Sequence, residues 1–247
     1  MINIQEQLTD GTSVFGWKSE VPLTPFAPNF TYPLTEKKIF SEEECESWYN
    51  YLLEQESILF DKYRTATPGG ETGLGPNSLT TRYPYFNVLD FDFHLIPKLK
   101  TELFNAVKTI LSIFDNTNWQ ETIYSKSWFN VLRKGEQMNP HFHGYHQHIF
   151  CGFHLSIRAK ETFTSYYHPV TFPFVQADAF HVPNKVGYLT LFPDFVPHSV
   201  TINNYETPRI SIAGDIFGSS MLGGKYDTDK PEASDSGMMN CTELGKL

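Results

Sequence analysis

Residues 121–133 read ETIYSKSWFNVLR, the first of five short runs rich in Tyr, Phe, Val, Ile and Thr. The later runs are HIFCGFHLSIR (148–158), VGYLTLFP (186–193), SVTIN (199–203) and RISIAGDIF (209–217). Gly, Pro and Asn punctuate the segments between them, and no helical pattern intervenes. Strands at this spacing indicate a β-sandwich or jelly roll rather than a parallel sheet. We therefore predict a mainly β fold with flanking helices (α+β), whose jelly-roll core spans residues 121–217.

Two helices are predicted before this core, in residues 41–120, which we interpret as helical support. Ser41 and the three glutamates after it form a Ser-x-x-Glu capping box with an acidic first turn, so a helix should span about 42–56. A second helix, at about 96–114, is indicated by apolar residues recurring every four positions. Those residues are Leu99, Leu103, Val107 and Leu111. This helix should cover one face of the sheet.

The remaining segments complete a single predicted domain of 247 residues. Residues 1–40 lack helical periodicity and are interpreted as an extended arm packed across the domain. The aromatic residues expected to pack it are Phe26, Phe30 and Tyr32. Residues 65–84 are rich in Gly and Thr and form a candidate active-site loop. Residues 223–247 are acidic, with few large apolar groups, and are predicted to be a flexible tail.

Charge and cysteine usage restrict the class of partner and the compartment. The net charge is -9 and no run of Lys or Arg occurs, so nucleic acid is not an expected partner. The three cysteines share no close spacing, which favours a reducing compartment and offers no zinc ribbon. No stretch reaches the roughly 18 apolar residues that a membrane span needs. We expect a cytoplasmic protein that does not enter a membrane; the sequence indicates no oligomeric state.

Five of the nine histidines fall within fourteen residues, and two of them have metal-ligand spacing. On a strand, His141 and His143 would share one face with Cα atoms about 6.5 Å apart, so both imidazoles could reach one ion. A third ligand must come from elsewhere in the fold, and His198, after the run VGYLTLFP, is the candidate. The alternative for a lone His-x-His pair is two core histidines that hydrogen-bond their neighbours.

Arg209 and Ser211 follow His198 in a His-x10-Arg-x-Ser pattern at the start of the last β-like run. An arginine that points into an apolar interior is costly unless it meets a planar anion, and its guanidinium suits a carboxylate. Ser211 faces the same side and can donate to the same carboxylate. The alternative is an arginine at a strand edge that pairs with Glu206 on the surface.

The segments SWFNVLRKGEQMNPHFH (127–143) and FPDFVPHSVTINNYETPRISI (192–212), in this order, resemble the 2-oxoglutarate/iron(II) oxygenases. More narrowly, they resemble a branch found in marine bacteria and phages. The resemblance implies a double-stranded β-helix, that is, a cupin-like jelly roll. If the chain is phage-encoded, the expected location is the host cytoplasm. It implies that His141 and His198 bind Fe(II), that Arg209 binds the far carboxylate of 2-oxoglutarate with help from Ser211, and that Asn130 hydrogen-bonds this cosubstrate.

The implied reaction is that of a dioxygenase acting as a hydroxylase. With O2 as cosubstrate, it hydroxylates a C–H bond of the substrate and releases succinate and CO2. The resemblance implies no catalytic residue beyond the metal site. The substrate could be a small molecule, a peptide or a protein side chain, and the sequence does not choose among them.

His143 departs from the family pattern, which has Asp or Glu two residues after the first histidine. Three imidazoles suit Zn, Cu and Ni as well as Fe, so the identity of the metal stays open. Asp194 or Asp178 could still bring a carboxylate to the metal, although neither stands at the family position.

The other clustered histidines, His146, His148 and His154, are expected to contact substrate or to hydrogen-bond the second nitrogen of a ligating histidine. Two alternative functions stay open. One is a three-histidine, cupin-like metalloenzyme that does not use 2-oxoglutarate. The other is a non-catalytic jelly-roll binding module, such as a structural phage component.

Overall fold

The computed structural model describes residues 2–21, 23–27, 29–66, 73–75, 78–114, 120–143, 150–169, 179–220 and 241–247. Its two α-helices are α1 (Glu42–Lys62) and α2 (Ile96–Ser112). Its strands are β1 (Ile2–Gln7), β2 (Ser13–Lys18), β3 (Thr31–Lys38), β4 (Thr122–Leu132), β5 (Met138–His141), β6 (Cys151–Arg158), β7 (Phe163–Tyr166), β8 (Phe180–Pro183), β9 (Tyr188–Pro193), β10 (His198–Val200), β11 (Arg209–Gly218) and β12 (Thr242–Lys246).

The strands form two antiparallel sheets. The larger has the order β1-β2-β3-β9-β6-β11-β4-β12, and the smaller has the order β5-β10-β7-β8. Along β4–β11 the chain crosses from one sheet to the other at every connection except β7 to β8. This strand order is that of a jelly roll, the double-stranded β-helix. The predicted fold class is confirmed.

Both helices begin where the sequence predicts, and they cover the outer face of the larger sheet. Ser41 caps α1 in a reciprocal capping box with Glu44, and α1 continues to Lys62, beyond its predicted end at about residue 56. Apolar residues of both helices and of the central strands share one buried cluster, which includes Trp48, Leu52, Leu99, Leu103, Phe129, Phe153, Leu191 and Ile212. Neither described helix is both long and apolar enough to cross a membrane.

The N-terminal and C-terminal segments, predicted as an extended arm and a flexible tail, instead contain strands that extend the larger sheet at its two edges. Residues predicted as an extended arm supply β1–β3, of which β3 pairs with β9. Phe30 and Tyr32 pack there, but the expectation for Phe26 is wrong, since it is 95% exposed. Part of the predicted flexible tail forms β12, which pairs with the backbone of β4. An unpaired strand edge is a template for such pairing, which local composition does not reveal.

The central strands of the larger sheet separate apolar from polar side chains by simple alternation. On β11, Ile210 and Ile212 belong to the helix-covered cluster, whereas Arg209, Ser211 and Asp215 face the opposite side. That side is the interior between the two sheets. The jelly roll therefore places buried polar groups around a common centre.

Candidate functional site

Three histidines meet between the two sheets, and each offers one ring nitrogen within 4.8 Å of the others. His141 on β5 and His198 on β10 are direct cross-strand partners. His143 lies just beyond the end of β5, where its N–H donates to the backbone oxygen of Asp194 at 3.0 Å. The ring centroids are 4.3 Å (His141 to His198), 5.0 Å (His143 to His198) and 5.7 Å (His141 to His143) apart. The fold thus brings together the three residues predicted as metal ligands.

Hydrogen bonds at Nδ1 fix the tautomers of these rings. The Nδ1 atoms of His141 and His198 lie 2.8 and 3.1 Å from the backbone oxygens of Asn139 and Val196, which can only accept. The proton of each ring is therefore on Nδ1, and the lone pair is on Nε2. His198 Nε2 is buried and hydrogen-bonds to nothing in the described part of the chain. A buried acceptor without a partner is costly unless a ligand occupies it.

Burial also favours the neutral imidazoles that metal ligation requires. Desolvation lowers the pKa of His141 to about 4 and, with the neighbouring histidines, holds the pKa of His198 well below its usual range. His154 is half-buried, and desolvation likewise holds its pKa well below the usual range. Its ring centroid is 4.8 Å from that of His198. These three rings stay uncharged at neutral pH.

Stability of the metal-free protein should therefore fall in acid. An unfolded histidine takes up its proton near pH 6.5, whereas the desolvated rings of His141, His154 and His198 do not, so the unfolded state binds more protons below that pH. Burial raises the pKa of Asp194 to about 6, so the folded protein takes up one proton there below pH 6. This proton offsets one of the three that the histidines bind only in the unfolded state. We expect the free energy of unfolding to fall by roughly 2–3 kcal/mol per pH unit below pH 6.

Denaturant unfolding of the chelator-treated protein at pH 7.5, 6 and 5 measures this slope. The variant His94→Gln, which changes an exposed histidine, is the control and should keep it. A flat profile between pH 6.5 and 5 would contradict the lowered pKa values of these three histidines.

Gly152 on β6 makes room for the ring of His143. A Cβ atom at this position would lie 2.9 Å from His143 Nδ1 and 2.7 Å from Cε2 of Phe192. These are distances that the packed interior cannot accept without displacing a ring. The glycine is therefore part of the architecture of the site.

Gly152→Ala should destabilise the protein by about 1–3 kcal/mol, the usual cost of overpacking. Gly218→Ala is the matched control, because Gly218 is also in a strand and its nearest contact would be the Glu121 carboxylate at 3.3 Å. Denaturant unfolding of the two variants measures the difference. Equal stability would contradict the tight contact at Gly152.

Arg209 is a buried cation with no anionic partner among the described residues. It is 3% exposed, its Nη1 donates to Ser211 Oγ at 3.4 Å, and its Nε has no partner in the described chain. Desolvation lowers the pKa of Arg209 to about 10. The alternative that Arg209 pairs with Glu206 is wrong, because Lys134 forms that ion pair. Such a cation needs an anion to offset the cost of its burial.

Polar groups surround this arginine. Asn130 lies opposite Ser211 in the β4–β11 register, and its Oδ1 is buried without a partner in the described chain. A cavity beside Arg209 and Ser211 also contacts His154 and Tyr166, whose hydroxyl is 3.2 Å from His154 Nδ1. Because His154 packs against His198, the polar lining continues from the arginine to the histidine cluster.

Sequence reasoning missed Asp215 on β11, whose carboxylate Oδ1 is 2.6 Å from His143 Nδ1. Asp194, the predicted source of a carboxylate, instead accepts a hydrogen bond from the backbone N–H of His143 through its backbone carbonyl. The run RISIAGDIF does place Asp215 on the face of Arg209, and that alternation was the available signal. The predicted candidates His146, His148 and Asp178 lie outside the described residues.

No protein-family model and no curated protein matches the chain. Similar solved structures include a viral collagen prolyl hydroxylase from Paramecium bursaria Chlorella virus-1, 12% identical over 81% of this chain and 98% of that chain (TM-score 0.49). A prolyl-4-hydroxylase from Pseudomonas putida is 12% identical over 76% and 89% (TM-score 0.44). The non-heme monooxygenase ThoJ, in complex with nickel, is 15% identical over 73% and 71% (TM-score 0.46). At these identities the likeness is one of fold alone.

Proposed function

We propose that this chain is an iron(II) oxygenase that uses 2-oxoglutarate and O2 to hydroxylate a C–H bond of its substrate, releasing succinate and CO2. One observation carries the proposal: three imidazoles converge between the sheets beside a buried arginine that has no carboxylate partner among the described residues. 2-Oxoglutarate is a dicarboxylate that chelates a metal at one end. It therefore requires a metal site and an anion site within the same polar interior.

The donor set fits a first-row divalent metal. The rings of His141, His143 and His198 would bind through Nε2, since their Nδ1 atoms are engaged by protein oxygens. Three imidazoles are also compatible with Ni, Cu and Zn, so the choice of Fe(II) rests on the proposed reaction. The orphaned Nε2 of His198 is the specific feature that a metal ion would satisfy.

The arginine pocket fits a carboxylate. Arg209 would hold the far carboxylate of 2-oxoglutarate, with Ser211 and Asn130 as neighbouring polar partners. The cavity itself encloses about 10 Å³, the space of a single water molecule. Binding would therefore require Tyr166, His154 or another lining side chain to move. If Tyr166 or His154 moves, the hydrogen bond between the Tyr166 hydroxyl and His154 Nδ1 would break.

When bound, the metal and 2-oxoglutarate would together supply the oxidising chemistry, one oxygen atom entering succinate and the other the new hydroxyl group. The chain's own contribution is to fix the ligands and to exclude water from the interior. Trp128 stands at the cluster, with its ring centroid 5.8 Å from that of His143 and 5.2 Å from that of Tyr83. We infer that this aromatic wall orients the substrate, a small molecule, a peptide or a protein side chain.

Conversion of ¹³C-labelled 2-oxoglutarate to succinate tests the proposal, because many potential substrates can be screened with one readout. We expect succinate formation to require Fe(II) and O2 and to rise when a substrate is present. Fe(II), Ni(II), Cu(II) and Zn(II) should be compared under the same conditions. Stoichiometric metal without any 2-oxoglutarate turnover would favour the three-histidine alternative, and absence of bound metal would favour a non-catalytic module.

A further inference from the structure

The three clustered histidines differ in what accepts their Nδ1 protons. His141 and His198 each donate to the backbone carbonyl two residues earlier, at 2.8 and 3.1 Å. His143 instead contacts a carboxylate, Asp215 Oδ1, at 2.6 Å. An ionised carboxylate can only accept, so it fixes the Nδ1–H tautomer and leaves Nε2 with the lone pair. One ring of the three therefore has a negatively charged partner.

The fold builds this contact from two neighbouring strands. Asp215 on β11 pairs directly with Gly152 on β6, and the missing side chain at Gly152 leaves the space that the ring of His143 fills. Phe192 and Trp128 pack against the same ring, with centroids 5.6 and 5.8 Å away. The imidazole is thereby held in one orientation, with its Nδ1 edge toward the carboxylate.

The contact is shielded from solvent, which strengthens it. The side chains of His143 and Asp215 are 6% and 14% exposed. At 2.6 Å and in this environment the hydrogen bond is of the strong, charge-assisted kind. A carboxylate that accepts the distal proton of a ligating imidazole raises the basicity of the ring and fixes its direction.

We propose that Asp215 is the positioning residue of the metal site, which acts through His143 to orient its Nε2 and to supply one negative charge to a site built from three imidazoles. The inference rests on the proposed metal-binding function and extends it. It assigns His143 a different electronic role from the other two ligands. In this arrangement the carboxylate contacts the imidazole of His143 and does not bind the metal directly.

Cobalt(II) binding to the chelator-treated protein tests this without requiring a substrate or turnover. Asp215→Asn preserves the shape but removes the charge, and it should weaken Co(II) binding by about 10–100-fold. Asp194→Asn is the matched control, because its carboxylate lies nearby but makes no hydrogen bond to the ring. The control should lose clearly less affinity. Equal losses in the two variants would overturn the proposal.

A double-mutant cycle separates action through His143 from any other route. In the His143→Ala background, whose weak residual affinity is measured with millimolar Co(II), Asp215→Asn should change that affinity by no more than about twofold. If the loss persists without His143, Asp215 acts on the metal directly or on the fold, and the proposal is overturned. Thermal unfolding of each metal-free variant verifies that the fold is retained.

The Co(II) protein gives a second readout that a purely structural role would not move. Imidazole N–H protons of metal-bound histidines shift far outside the normal proton spectrum, and the Nδ1–H of His143 should exchange slowly because Asp215 holds it. In Asp215→Asn this resonance should exchange faster while those of His141 and His198 stay unchanged. Unchanged exchange would contradict the inference. Failure of the wild-type protein to bind Co(II) would instead refute the proposed function.

Discussion

Replacing His198 by alanine is expected to abolish stoichiometric metal binding. The side chain is fully buried, its Nε2 lacks a partner in the described chain, and its ring lies next to that of His141 across the β5–β10 pair. Loss of a residue that only hydrogen-bonds a ligand lowers metal affinity by about 10–100-fold. This substitution removes a ligand itself, so the metal affinity should fall by more than about 100-fold. Metal-dependent stabilisation, measured as the shift in Tm on adding Fe(II) or Co(II), should disappear with it.

The control is His94→Ala, since His94 is exposed and does not belong to the cluster. It should bind metal as the wild type does. Metal-free His198→Ala should still unfold cooperatively but at a lower Tm, because the truncation leaves a cavity beside Phe192 and removes the hydrogen bond to the Val196 carbonyl. If His198→Ala retained wild-type metal affinity, the three rings would not form the site.

Arg209→Leu is expected to have opposite effects on 2-oxoglutarate binding and on the stability of the ligand-free protein. Two charge-assisted hydrogen bonds to a carboxylate contribute roughly 1.5–3 kcal/mol each, so their loss should weaken 2-oxoglutarate binding by more than about 100-fold. The ligand-free variant should be at least as stable as the wild type, because a desolvated charge without an anionic partner in the described chain is removed. Stabilisation by 2-oxoglutarate, measured by thermal unfolding with metal present, reports the first effect.

Arg158→Leu is the matched control, because Arg158 lies on the neighbouring strand β6 but pairs with Glu46 at the surface. It should keep the 2-oxoglutarate-dependent shift in Tm. Arg209→Lys should bind more weakly than wild type, since an ammonium group lacks the planar fork of guanidinium. If Arg209→Leu kept the full shift, the anion site would have to be elsewhere.

Much of the framework follows from local sequence signals. The five β-rich runs predict the jelly roll, and the capping box at Ser41 and the leucine periodicity around Leu103 predict both helices. The spacing from His198 to Arg209 places both at strand starts of the same interior. Period-two alternation then brings Ser211 to the side of Arg209. These signals are short-range, and each depends on a few adjacent residues.

The rest depends on pairing across the sheets, which no local pattern encodes. Asp215 meets His143 because β11 lies beside β6 and because position 152 has no side chain. Pairing of β12 with β4 likewise joins segments more than a hundred residues apart. The roles of the predicted ligands, of Arg209 and of Asn130 stay predictions until metal and cosubstrate binding are measured.

Anaerobic titration of 2-oxoglutarate into the Fe(II)-loaded protein tests the central claim most directly, because it needs both the histidine cluster and Arg209. Chelation of Fe(II) by a 2-oxo acid produces a metal-to-ligand charge-transfer band in the visible spectrum. We expect a saturable band with one equivalent of 2-oxoglutarate, absent in His198→Ala and strongly weakened in Arg209→Leu. A protein that binds Fe(II) but develops no band would contradict it.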